Sequence, residues 1–169
     1  MSDSILKEFS PAKIADIALI GIQLKGAVLA KRIKQSIEKK KGISVPLGKI
    51  DISMYRDDIG AGREISKTHE TYIPFDIEDK IIILVDDVLH TGRTIRAALD
   101  AITDYGRPAL IRLAVLIDRK MREFPIGADY VGVVKAFPPD KKISVKWKEL
   151  EQEDSVYLYP KKIRKSQPC

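Results

Sequence analysis

The stretch Ile82-Ile83-Leu84-Val85-Asp86-Asp87-Val88-Leu89-His90-Thr91-Gly92-Arg93-Thr94 decides how this chain is read. With Ile81 before it, it opens on an unbroken aliphatic run, the pattern of a strand covered on both faces. Two acids end the run, and a short polar loop leads into a helix marked by Ile95, Ala98, Leu99 and Ile102. Backbone N–H groups near Thr91 and Thr94 lack partners at the start of such a helix, and with the two hydroxyls they form a cradle for a phosphate monoester. Gly92 lets the backbone approach that ligand closely. Adjacent carboxylates at a strand end repel each other, so Asp86 and Asp87 need hydroxyl donors, a cation or both. A ribose with two free hydroxyls meets that need. Turn and capping roles account for these residues one at a time; the whole string at this spacing favours the ligand reading.

Working outward, Ser10-Pro11 starts a short helical segment that leads into the buried strand 17–22. After Gly26, the apolar positions Leu29, Ile33 and Ile37 recur at helical spacing and Gly42 closes the helix. Ile50, Ile52 and Met54 alternate with polar neighbours, which predicts a half-exposed strand, and residues 56–71, with Gly60 and Gly62, form an expected mobile loop. A further strand is expected over 110–117. Beyond Phe124, short strands at 130–134, 143–147 and 155–159 are expected to build a cap rather than more core. Strands alternating with helices predict an α/β fold with a mostly parallel central sheet flanked by helices, whose ligands sit beyond the carboxyl ends of the strands.

Composition narrows the function classes. A chain of 169 residues with 44% hydrophobic residues suits one domain that buries about 70% of its unfolded surface. The single cysteine, Cys169, excludes an intrachain disulfide and a thiolate metal cluster, so a reducing compartment is expected. Residues 1–10 hold Asp3, Lys7 and Glu8 with no signal-like apolar run, and no stretch nears the roughly 20 apolar residues of a membrane span. Of the net charge of +6, Lys161, Lys162, Arg164 and Lys165 supply four, which places most of the basicity in a tail, 161–169, expected to be disordered. Gly21 and Gly26 have the spacing of a nucleotide phosphate loop, but Ala27-Val28 stand where Lys and Ser or Thr belong. Gly60-Ala61-Gly62 sits in a polar loop, which disfavours a dinucleotide fold. A signalling receiver would carry its acids after the first strand, not a middle one. Neither His69 nor His90 is nominated as a general base.

The central string resembles the 5-phosphoribosyl diphosphate (PRPP) signature of type I phosphoribosyltransferases: four aliphatics, two acids, a short spacer and T-G-x-T. Gly21-Ile22-Gln23-Leu24-Lys25-Gly26, Asp51-Ile52-Ser53-Met54-Tyr55-Arg56-Asp57-Asp58 and Phe124-Pro125-Ile126-Gly127-Ala128-Asp129-Tyr130-Val131-Gly132 resemble the PyrR family of pyrimidine-operon regulators and uracil phosphoribosyltransferases. The resemblance implies a type I phosphoribosyltransferase-like domain over 1–160, with a small β-rich hood mainly at 119–160 and a flexible loop. It implies PRPP binding by the diphosphate loop Leu24, Lys25 and Gly26, and by Asp86, Asp87, Val88, Leu89, His90, Thr91, Gly92, Arg93 and Thr94. Asp86, Asp87 and Lys25 are then the catalytic residues, Mg²⁺ is the cofactor at Asp86 and Asp87, and Arg56 and Arg119 are candidate contacts to the base or diphosphate. Read alone, Lys25 opposes the dipole at a helix start, and a nearby anion would reverse that penalty. The implied partners are PRPP, a nucleobase with uracil favoured, an RNA leader and further copies of the chain in a dimer or larger homo-oligomer, all in the cytoplasm.

This sequence departs from the family pattern at several points. Leu24-Lys25-Gly26 stands where Thr-Arg-Gly is usual and resembles the loop of hypoxanthine-guanine phosphoribosyltransferases. Residues 1–16 show no match to the family's RNA-contacting Thr and His, and Gly132-Val133-Val134 replaces a Gly-Lys-Asn step. Asp118-Arg119-Lys120-Met121-Arg122 keeps the family's acid and two arginines but not the Gly-His pair between them. Two other readings stay open. One is a non-enzymatic, nucleotide-sensing RNA regulator that uses Lys31, Arg32, Lys39, Lys40, Lys41 and the tail; the other is a phosphoribosyltransferase for a purine base.

Overall fold

The structure, a computed structural model, describes residues 1–56 and 70–160. In chain order its elements are α1 (Ser2–Glu8), α2 (Pro11–Ile14), β1 (Ile17–Ile22), α3 (Lys25–Lys41), β2 (Leu47–Ile50), a 3₁₀ turn (Ser53–Tyr55), β3 (Ile81–Leu89), α4 (Arg93–Thr103), β4 (Leu110–Asp118), β5 (Tyr130–Val134), β6 (Lys141–Lys146), α5 (Lys148–Glu151) and β7 (Ser155–Pro160). Five strands make one parallel sheet in the order β2-β1-β3-β4-β5, and β6 and β7 form an antiparallel pair.

The aliphatic run of β3 is unbroken because both of its faces are covered. Ile83 and Val85 join the cluster that holds Leu29, Ile33 and Ile37 of α3, whereas Ile82 and Leu84 join Ile95, Ala98 and Ile102 of α4. Parallel strands joined by helical crossovers bury a central strand in this way. The register Ile17↔Ile81 and Leu89↔Asp118 aligns β1, β3 and β4 so that their carboxyl ends open on one side. Gly42 ends α3 in the left-handed region at φ 67°, where its N–H donates to the Glu38 carbonyl at 2.7 Å.

Two expectations need correction, and one element was not expected. The alternating stretch at 50–55 is not a strand: β2 ends at Ile50, and Asp51 accepts hydrogen bonds from the Ser53 N–H at 2.8 Å and its hydroxyl at 2.6 Å. This side-chain turn diverts the chain into the 3₁₀ turn and leaves Met54 exposed. Residues 130–134, expected in the cap, are the edge strand β5 of the main sheet, paired with β4 from Ala114↔Tyr130 to Asp118↔Val134. Tyr130 packs into the α3-side cluster and Val131 against the opposite one, while Val133 and Val134 stay exposed at the sheet edge, so the apolar run does not tell an edge strand of the sheet from a cap strand. The N-terminus holds an unforeseen helix, α1, whose Ile5 is buried with Phe9 in the α3-side cluster. Glu8 fastens it by accepting from Arg112 Nε at 2.8 Å and from the Tyr130 hydroxyl.

The β6–β7 hairpin docks through Ile143, Val145 and Trp147, which are buried in the same cluster. Most of the loop expected at 56–71, and the tail at 161–169, lie outside the described residues.

Candidate active site

Asp86 and Asp87 stand near the carboxyl end of β3, Asp86 buried and Asp87 half-buried. The Asp87 N–H donates to Asp86 Oδ1 at 2.9 Å. Burial pushes the Asp86 carboxyl well above its ordinary range, the Asp87 charge adds to the shift, and Arg56 partly offsets it. Burial also raises Asp87, against the pull of its hydrogen bond with Asp86 and the charge of Lys25. Two neighbouring carboxylates, one of them buried, resist ionising together, so the pair is poised to accept hydroxyl donors or a cation.

Beyond the acids the chain turns through Thr91 and Gly92 into α4. Gly92 sits at the helix N-cap with φ 93°, and a Cβ there would meet Phe124 Cβ at 3.1 Å, so both conformation and space call for glycine. The open helix start faces a cleft of about 380 Å³ lined by residues 88–95 with Arg56 and Glu123. The Arg93 N–H donates to Thr91 Oγ1 at 3.4 Å, and the positive end of the α4 dipole together with the two threonine hydroxyls suits this cleft to a phosphate.

The segment after β4 clamps that loop. Arg122 donates from Nη1 to the His90 carbonyl at 2.8 Å, from Nε to the Ile126 carbonyl at 2.7 Å and from Nη2 to Asp118 Oδ1 at 2.6 Å. Burial works to raise the Asp118 carboxyl, yet Arg122 and the Lys120 N–H hold it below its ordinary value. The Glu123 and Phe124 N–H groups donate to the Thr91 carbonyl at 2.9 and 3.0 Å. Arg93 Nε donates to Glu123 Oε2 at 2.7 Å, with its guanidinium 5.4 Å from the Phe124 ring centre.

Leu24-Lys25-Gly26 is pressed against the same strand end. A Cβ on Gly26 would lie 2.4 Å from the Val85 carbonyl oxygen and 3.0 Å from Asp86 Cα, so only glycine allows this approach. The preceding Gln23–Leu24 peptide is cis. Lys25 Nζ donates to the Val145 carbonyl and lies 3.5 Å from Glu151 Oε1.

A family model for the phosphoribosyl transferase domain matches residues 2–151. The chain is 51% identical over 148 residues to the Bifunctional protein PyrR of Roseiflexus sp., covering 87% of this chain and 81% of that protein. It is 52% identical over 150 residues to the Bifunctional protein PyrR of Clostridium acetobutylicum, covering 86% and 82%. This chain belongs to the PyrR family of phosphoribosyltransferases. A solved hypoxanthine-guanine phosphoribosyltransferase from Bacillus anthracis shares the fold, with a TM-score of 0.64 at 20% identity over 94% of this chain and 87% of that one.

In this PyrR-family chain the structure gathers the two acids, the loop to Thr94, Arg56 and the Leu24-Lys25-Gly26 turn at one end of the sheet. Arg119 follows β4 at this same end, its N–H donating to the Leu89 carbonyl at 3.0 Å, but its side chain turns away from the cleft. That guanidinium is buried and donates from Nη2 to the Lys141 carbonyl at 2.9 Å and the Pro138 carbonyl at 3.5 Å, beneath the chain entering β6. Burial lowers its pKa from the usual arginine value. Arg119 therefore anchors the hairpin and does not line the cleft. Sequence reasoning did not nominate Arg122 and Glu123, which hold the loop from behind. The available signal was an acid and an arginine four residues apart directly after a strand.

Proposed function

We propose that the chain transfers the 5-phosphoribosyl group of PRPP to uracil, giving UMP and diphosphate. The observation that carries this reading is the buried acid pair set between a helix-start cradle and a lysine-bearing loop. The 5-phosphate would bind the Thr91–Thr94 turn, the ribose hydroxyls would meet Asp86 and Asp87, and the diphosphate would lie toward Lys25. The uracil N1 then bonds to C1 as the C1–O bond to diphosphate breaks, its proton passing to the diphosphate or to water, and positive charge develops on the ribose, as in glycoside hydrolysis. Carboxylates held against the sugar favour that charge. Two adjacent carboxylates are what a protein commonly gives Mg²⁺ when phosphate oxygens and waters complete its shell, so Asp86 and Asp87 fit this ion. When bound, it supplies neutralising charge to the leaving group. Lys25 assists at the same oxygens, and Arg56, whose charge eases the ionisation of Asp86, keeps the acids competent.

The proposal extends to a cytoplasmic homo-oligomer that also binds an RNA leader, in keeping with the family. Among the helix cations, Arg32 is paired with Glu149 and Asp154, whereas Lys31, Lys39 and Lys41 are exposed and suited to phosphates. Among the described residues no helix is long and apolar enough to cross a membrane.

The test is product formation from PRPP and Mg²⁺ with uracil, hypoxanthine or guanine, using the Asp86→Asn/Asp87→Asn double variant as control. Uracil-dependent diphosphate release that vanishes in the variant is the expected result. Release with a purine alone would reassign the base, and no turnover with any base would refute the transferase reading.

A further inference from the structure

Lys25 belongs to the proposed diphosphate loop, yet its partners lie on the hairpin. Its ammonium donates to the carbonyl of Val145 in β6 and sits 3.5 Å from the carboxylate of Glu151 at the end of α5. An independent tether fixes α5 to the helix that Lys25 begins. Arg32 Nε and Nη2 donate to the two Glu149 carboxylate oxygens at 2.9 and 2.6 Å, and Nη2 also reaches Asp154 Oδ1 at 2.6 Å. The Arg32 guanidinium lies 4.6 Å from the Trp147 ring centre. Glu151 is therefore held opposite the first turn of α3. The Lys25 charge also acts on Asp87, so one ammonium serves two carboxylates, one in the site and one outside it.

The Lys25 and Glu151 side chains are 29% and 34% exposed, so their pair is partly solvated and weak enough to exchange. A diphosphate carries several negative charges into the same loop. We infer that Glu151 is a positioning residue that competes with the diphosphate for Lys25 and thereby sets the affinity for PRPP. This inference rests on the transferase reading. Binding of PRPP draws Lys25 from Glu151 toward the diphosphate oxygens, and departure of the product returns it. The exchange weakens donor binding and eases departure of the diphosphate, because the retained carboxylate opposes an anion in the loop.

Glu151→Gln removes the competing charge at constant shape. Titration calorimetry with PRPP, and separately with inorganic diphosphate, each with Mg²⁺, is expected to show Kd values about two- to fivefold lower than for the unaltered protein. KM for PRPP falls more than kcat changes, and the melting temperature holds because Arg32 still fastens α5. In a Lys25→Met background, the gain from Glu151→Gln drops to less than half. Unchanged or weaker binding in Glu151→Gln, or an equal gain without Lys25, would overturn the competition. Failure of the unaltered protein to bind PRPP is a different result, which removes the transferase reading and this inference with it.

Discussion

Replacing Arg122 by Met tests whether the segment after β4 holds the turn from His90 to Thr94 in place. The Arg122 side chain is 22% exposed and that of Asp118 only 3%, so the substitution strands a nearly dry carboxylate. Removing one partner of a buried ion pair costs about 3–5 kcal/mol. The Lys120 N–H at 2.7 Å and its ammonium at 3.7 Å remain on Asp118, which sets the expected loss at the low end, about 3 kcal/mol. For a domain of this size that lowers Tm by about 6–12 °C. The pH dependence supplies the sign. The folded-state pKa of Asp118 is depressed, so its contribution is present above the ordinary carboxylate value and is lost as pH falls through the folded value. The gap between variant and unaltered protein is therefore widest at neutral pH and narrows as pH falls below the ordinary carboxylate range, as calorimetric melts across that span would show. Release of the His90 carbonyl also loosens the cradle, so KM for PRPP rises. Arg122→Lys keeps the charge but lacks a fork to span His90, Ile126 and Asp118, so it recovers part of the stability and little of the affinity. A Tm change below about 3 °C, corresponding to roughly 1 kcal/mol, or a gap independent of pH, would refute the clamp.

Asp86→Asn reverses the usual cost of an active-site change. Because the folded Asp86 pKa is raised, stability falls as pH rises from the ordinary carboxylate value through the folded one, so at pH 8 the variant is expected to melt above the unaltered protein while losing turnover; a lower melting temperature at pH 8 would contradict this. Gly26→Ala places a Cβ 2.4 Å from the Val85 carbonyl oxygen and should cost about 1–3 kcal/mol with loss of PRPP binding, as checked by denaturant unfolding and calorimetry. Arg119→Met should destabilise the protein and expose the Pro138 and Lys141 carbonyls to faster protease cleavage nearby, with little direct change in affinity for the base; a base-specific KM effect at unchanged stability would instead place Arg119 in the site.

The local chemistry of the site was legible without coordinates because one continuous string carries it. An aliphatic run, two acids and T-G-x-T each have a fixed physical use at a strand-to-helix turn, and all lie within a dozen or so neighbouring positions. Gly26 was readable as part of a loop, but its need for glycine comes from the Val85 carbonyl of a strand some 60 residues away in sequence. Elements with weak patterns were misplaced for the same physical reason. The edge strand β5 buries only Tyr130, and the stretch after Ile50 alternates in sequence while Asp51 hydrogen-bonds to Ser53 and turns the backbone aside.

The parallel α/β fold class, the adjacent acids and the strand-to-helix turn follow from local patterns, because strand periodicity, helix-start chemistry and like-charge repulsion act between neighbours along the chain. That the Arg119 side chain goes under the hairpin while Arg122 grips the loop, and that Lys25 is shared with Glu151, comes from long-range contacts alone. Those outcomes depend on which carbonyls and carboxylates distant segments bring within about 3 Å of a charged group, the range over which hydrogen bonds are selective.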